Sequence, residues 1–497
     1  MSRPRFAVLG LLLWLAMLAS CGQAADTVSP VSLPTALPTL SPTQEPSATP
    51  VPTYMTGSTI AGIAVGGLER AEAAERLAVA LDVPETLDLR VGATRLRLDA
   101  DVVALAAPLD ELLAEADTDL RQGRAATVPL HFGFDEAALR QQLRALAPEV
   151  AREPVLRVVT ATDALSRTFA YLPGQRLDVD AALAEVRAAL AAGEAGPLTL
   201  TLQADPTPPT VALERLHEEL AALTADLEGV LGLYLIDLAS GETLGWNERS
   251  VFSGASTIKT AIMLYAYVNL PELSEEHEEW MSLMLRVSDN LAANDLLAAG
   301  AGGEGTAVAF TGAAAMSAML QDELGLRHTY LHIPFEAIDY IRLYGPSFRC
   351  GPDGPVGERP YTEMGACLRA EPESMAQLYF MLDQCANGEG LLLEQYEHLK
   401  PRRCQAMLDW LALNEDTSRI VAGIPEGVRV EHKSGWVEDM QADVGIVRSP
   451  GGDYVLALYY YRPLPAGRDL WFDDEMTPVL SAISGLVYSA FNPSETR

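Results

Sequence analysis

Positive charge is scarce in this chain, cysteine scarcer, and the commonest metal signatures are missing. Only 35 Lys and Arg stand against 68 Asp and Glu in 497 residues, a formal net charge of −33. No Lys/Arg cluster interrupts that balance, so a phosphate backbone is repelled and nucleic acid is not an expected partner. The acidity reads first as a soluble, self-repelling surface. There is no C-x-x-C and no H-E-x-x-H, and His328 and His332, four apart, have no further ligands in view. No metal and no cofactor is therefore expected. After the first twenty residues no apolar run is long enough for a transmembrane helix.

Hydrophobic residues are plentiful at 49%, which excludes wholesale disorder, and the length suits two folded domains plus tails. Arg3 and Arg5 precede an apolar run of about twelve residues, Phe6 to Met17, short for a membrane span and suited to a signal-peptide core. The run ends in Leu18-Ala19-Ser20-Cys21, which resembles the lipobox of bacterial lipoproteins. That resemblance implies export, cleavage after residue 20, lipidation of Cys21 and anchoring to the outer side of the bacterial cell membrane. An ordinary secretory signal is the alternative. Four of the five cysteines remain, Cys350, Cys367, Cys385 and Cys404. An even number in an oxidising compartment reads as two disulfides. Three pairings are open, with chain order inclining towards Cys350–Cys367 and Cys385–Cys404.

Residues 21–56 are rich in Pro, Thr and Ser and read as an extended tether. From 57 to 205 short strands alternate with amphipathic helices: a hairpin over Thr86–Leu98, helices near Leu109–Leu120 and Ala181–Leu190. Here Gly62-Ile63-Ala64-Val65-Gly66-Gly67-Leu68 and Pro173-Gly174-Gln175-Arg176-Leu177-Asp178-Val179 resemble the VanW/YoaR-type peptidoglycan-binding domains. The resemblance implies binding of cell-wall glycopeptide; a spacer without a ligand is the alternative. Pro206-Thr207-Pro208-Pro209 marks the next boundary, and Thr210 is placed to cap a helix. Over 211–497 the pattern predicts an α+β fold. Terminal helices flank a five-stranded antiparallel sheet, with a helical region inserted between strands two and three.

Chemistry concentrates in three short motifs. Ser256-Thr257-Ile258-Lys259 opens a helical run, and residues three apart share a helix face, so the Lys259 amine can reach the Ser256 hydroxyl. Serine is a poor nucleophile until a neighbouring base takes its proton, and a desolvated lysine can be that base. Ser288-Asp289-Asn290 follows a second helical run, and Lys433-Ser434-Gly435 ends a predicted strand before Trp436. No G-x-S-x-G surrounds Ser256 and no histidine has a clear triad partner.

In this order and context the three motifs resemble the class A β-lactamase-like serine hydrolases of the penicillin-recognising superfamily. The resemblance implies that Ser256 attacks a carbonyl, that Lys259 accepts its proton and that Ser288 relays a proton to the leaving nitrogen. It also implies that Asn290 binds the substrate amide and that Lys433 and Ser434 receive a substrate carboxylate. Gly435 lies in the same motif, and the backbone N–H groups of Ser256 and Trp436 would form an oxyanion hole. Asp289 is expected to brace its loop. One departure stands out: the family's E-x-x-L-N loop is absent between Asn290 and Lys433, where Glu336 is a candidate deacylation base. The expected substrates are β-lactams or peptidoglycan stem peptides. Fast deacylation would make a β-lactamase, and slow deacylation a penicillin-binding protein or D,D-carboxypeptidase. A non-catalytic wall-binding lipoprotein is the reading from a different class.

Overall fold

The computed structural model describes residues 51–160, 165–348, 350 and 367–496. The leader, Cys21, the tether up to residue 50 and the loop 351–360 lie outside the described residues. Thr86–Val91 (β1) and Thr94–Asp99 (β2) form the predicted hairpin, turning at Gly92, whose φ of 57° suits glycine. Leu109–Arg121 (α1), Glu136–Val150 (α2) and Val179–Ala191 (α3) supply the helices. Asp135 and Asp178 cap the second and third, each accepting two backbone N–H bonds. Leu89, Leu98, Leu139, Leu143 and Leu183 close a small core around them.

The hairpin of Val155–Thr160 (β3) and Arg167–Leu172 (β4) does not belong to that core. Phe169 is fully buried among Leu216, Leu220, Leu486 and Val487, residues of the second half. Its N–H donates to the Ser489 hydroxyl (2.9 Å), and Arg167 pairs with Glu219 (2.9 Å). Near the C-terminus, Ser494–Glu495 runs parallel to Ala170–Tyr171. The hairpin is packed as part of the C-terminal half.

Leu213–Thr224 (α4) starts two residues later than the Thr210 cap implied, with no side-chain cap on Ala212. Val211 enters the core, and residues 206–212, three of them proline, form no helix or strand. Val230–Asp237 (β5) and Thr243–Trp246 (β6) pair antiparallel. The helical region follows as Lys259–Asn269 (α5), Glu275–Arg286 (α6), Asn290–Gly300 (α7), Gly305–Ala318 (α8), Pro372–Ala386 (α9) and Pro401–Leu411 (α10). Arg429–Val437 (β7), Met440–Arg448 (β8) and Tyr454–Tyr461 (β9) complete a sheet ordered β6-β5-β9-β8-β7, and Asp473–Phe491 (α11) covers it.

Alternation along β9 sorts the two cores. Val455, Ala457 and Tyr459 face the helical region, while Tyr454, Leu456, Leu458 and Tyr460 face α4 and α11. The fold is thus α+β, as the sequence predicted. The cysteines pair Cys350–Cys367 and Cys385–Cys404, the second bond tying α9 to α10. Among the described residues no helix is long and apolar enough to cross a membrane.

Candidate active site

The nucleophile sits where a turn becomes a helix. Ala255–Ile258 is one tight turn, and α5 continues it from Lys259 into the centre of the helical core. Lys259 is fully buried, and Ser256 is half-buried at the mouth. Ala255, Ser288 and Glu336 take φ values of 41°, 62° and 55°. That left-handed region costs a non-glycine residue about 1–3 kcal/mol, a cost the surrounding packing must offset.

Lys259 Nζ has four oxygen neighbours. The Ser288 carbonyl lies at 2.6 Å and Asn290 Oδ1 at 2.7 Å, while the Ser256 and Ser288 hydroxyls are each at 3.1 Å. Neither of the first two oxygens can donate, so each takes an N–H. A neutral amine then has one lone pair left, beside the two hydroxyls that can give it a proton. Burial pulls the Lys259 pKa down to about 7, and the nearby Lys433 cation adds to the effect. The Asp289 and Glu336 carboxylates oppose it. Phe335 lies under the amine, 4.7 Å from ring centre to Nζ.

Asp289 caps α7 by accepting from the Ala292 N–H (2.8 Å), which is the bracing role expected of it. Asn290 uses its other end to donate to Glu336 Oε1 at 2.8 Å. One helical turn on, Asn294 clamps the backbone of Phe335, accepting from its N–H (2.9 Å) and donating to its carbonyl (2.8 Å). This clamp fixes Glu336 beside Asn290 and Lys259. The segment Leu291-Ala292-Ala293-Asn294 carried the signal, since Asn294 lies four positions after Asn290 on the same face.

The third motif lies within an edge strand that continues to Val437, beyond the end the sequence suggested. The strand passes so close to the nucleophile that a Cβ on Gly435 would meet Ser256 N at 2.6 Å and Thr257 N at 2.9 Å. Only glycine fits there without moving backbone. Lys433 is fully buried; its Nζ donates to the Ser434 carbonyl (2.9 Å), and burial lowers its pKa to about 8. Trp436 is 58% exposed at the rim. Two further residues carried no recognisable signal in the sequence. Asp416 is ion-paired with the buried Arg419, and the two act oppositely on the Lys433 amine, the carboxylate raising its pKa and the guanidinium lowering it.

Ser256, Lys259, Ser288, Asn290, Glu336, Lys433, Ser434 and Gly435 therefore converge on one cleft. The arrangement can deprotonate a serine, pass that proton to a second hydroxyl and hold an acyl group beside a carboxylate.

A profile of the family described as the beta-lactamase enzyme family matches residues 215–272 and 271–491, more than half of the chain. No curated protein matches the sequence. Among solved structures, one described as PBP-A is 23% identical, covers 57% of this chain and 98% of its own, and has a TM-score of 0.41. A class A β-lactamase of the last common ancestor of Gram-negative bacteria is 22% identical, with 56% and 99% covered and a TM-score of 0.40.

Proposed function

Because the chain belongs to the beta-lactamase enzyme family, we propose that it is a cell-envelope serine hydrolase that forms an acyl-enzyme on Ser256 with β-lactams or peptidoglycan-like amides. The observation that carries this reading is the buried Lys259 amine, 3.1 Å from the Ser256 hydroxyl and with its pKa brought down to about 7. As Ser256 Oγ bonds to the carbonyl carbon, its proton passes to Lys259 and then through Ser288 to the departing nitrogen. Asn290 holds the substrate amide, and the N–H groups of Ser256 and Trp436 receive the oxyanion. Glu336, held by Asn290 at 2.8 Å, is the base for water in the second step. Its position favours turnover over a stalled penicillin-binding protein. Cys21 carries a lipid anchor, the tether spans outward, and residues 57–205 orient the enzyme on cell-wall peptidoglycan.

The test uses the full-length protein, a chromogenic cephalosporin and a fluorophosphonate, with Ser256→Ala as control. Intact mass should show both adducts on Ser256 and neither in the variant. Rapid colour supports β-lactamase turnover, and a persistent adduct supports slow deacylation. A protein labelled by neither reagent is not a serine hydrolase.

A further inference from the structure

A cavity of about 750 Å³ lies along the edge strand β7, lined also by residues of α6 and α10. None of the residues that converge on the catalytic cleft lines it. Trp410, Val421, Val428 and Val430 supply apolar walls. Trp410 donates its N–H to the Tyr267 hydroxyl (3.1 Å), so the indole has only its carbon faces to offer. A space of this size with such walls suits a small molecule when a few polar groups converge on it.

Two polar groups do. His432 is 2% exposed and lines the cavity. Its Nδ1 lies 2.9 and 3.1 Å from the two Asp443 oxygens, one of which also accepts the Ile420 N–H (3.1 Å). A carboxylate accepts, so Nδ1 carries the ring proton and Nε2 of the neutral ring keeps a lone pair. Among the described residues no group bonds to Nε2. His432 alternates with Lys433 along β7, so it faces away from the catalytic side of the sheet. The second group is Glu278, exposed on α6 and without a cation beside it among the described residues. Asp409 and Arg429 pair with each other at 2.7 Å, which leaves Glu278 as the uncompensated charge of the lining.

From this arrangement we propose that the cavity is a binding site for small organic cations. A protonated amine pairs with Glu278, an apolar or aromatic body lies against Trp410 and the valines, and a hydroxyl or N–H donates to His432 Nε2. A buried acceptor left without a partner is costly, and a donor on the ligand relieves that cost. The net charge of −33 draws cations to the whole surface, so charge alone does not define the site. The buried lone pair and the aromatic wall do.

Calorimetry of the full-length protein at fixed ionic strength tests it with three probes. Tyramine carries an ammonium and a phenol donor. Phenethylamine lacks the phenol, and 3-(4-hydroxyphenyl)propionate has a carboxylate in place of the ammonium. Tyramine should bind with a Kd below about 1 mM. Phenethylamine should bind about fivefold more weakly, and the acid at least about tenfold more weakly. Glu278→Gln should weaken tyramine about two- to fivefold. Ala406→Trp fills the cavity from a half-buried position on α10 without changing charge, and should weaken tyramine at least about tenfold. Glu336→Gln removes an exposed carboxylate of the catalytic cleft and should change nothing. No binding of tyramine up to about 10 mM overturns the proposal. So does equal binding of either analogue, or an affinity unchanged in folded Ala406→Trp. Affinity lost in Glu336→Gln and kept in Glu278→Gln would put the amine in the catalytic cleft and refute the site.

Discussion

Lys259 holds two carbonyl-type oxygens at 2.6 and 2.7 Å whatever its charge, so its protonation decides only whether a lone pair faces the hydroxyls. With a pKa near 7 instead of 10.5, about half of the molecules carry a neutral amine at neutral pH. Acylation should therefore rise with pH through an acid limb near 7, and Lys259→Ala should slow it about 10²–10⁴-fold. The pH dependence of adduct formation by a fluorophosphonate checks this, and a flat profile across that limb removes Lys259 as the base. Replacing Lys433 by Met takes away a repelling cation, so the Lys259 pKa rises and the limb moves to higher pH. Glu336→Gln should leave acylation largely intact and lengthen the life of the adduct, read by intact mass over time. At this scale the sequence was legible where the signal was local. Ser256 and Lys259 share a turn, and Ser288 and Asn290 lie in one tripeptide. Asp416 was illegible because its partner is the buried Arg419, and neither residue belongs to a recognisable motif.

Elements carry the site by how close they approach one another. The edge strand β7 runs past the nucleophile with no room for a methyl group at Gly435, where the obstructing atoms are backbone nitrogens. In Gly435→Ala the strand must shift, and Ser256 labelling should fall at least about a hundredfold while far-UV circular dichroism keeps its native shape. Normal labelling would mean that the strand does not define the site. Period-two alternation made β5 and β9 readable to within one residue of their ends, whereas β8 begins at Met440, three residues before the alternating stretch from Asp443. The end of β7 was misjudged because Ser434 and Gly435 are weak strand formers held there by pairing, Ser434 opposite Asp443 and Gly435 opposite Ala442. Thr210 looked like a helix cap on residue type alone, yet Val211 is drawn into the core and the helix begins beyond it.

At the scale of the whole molecule, the β3–β4 hairpin joins the two halves. Phe169→Ala should cost about 3–5 kcal/mol and lower the melting temperature of the serine-bearing half, because the ring lies in that core. Calorimetry of the full-length protein checks this; a small effect confined to a separate early transition would place the hairpin elsewhere. Sequence could not show it, since Leu156, Val158 and Phe169 alternate as they would in any strand and give no hint of which core they enter. Loss of the Cys385–Cys404 bond between α9 and α10, in a Cys404→Ser variant, should cost about 2–4 kcal/mol in the same measurement. The net charge of −33 acts on substrates before contact. The acylation rate of an anionic acyl donor should increase between about 0.01 and 0.15 M ionic strength, while that of a neutral one stays flat. The hairpin also constrains the order of assembly. Phe169 donates to Ser489, 320 positions further on, and pairs its strand with residues later still. Synthesis at about 5–20 residues per second separates the two by tens of seconds. A growing chain therefore carries an aromatic ring and a strand edge without their partners until its last helix is made. Closure of that long loop is a late and slow step, and the interval before it is when the chain is most open to proteases and to other unfinished copies.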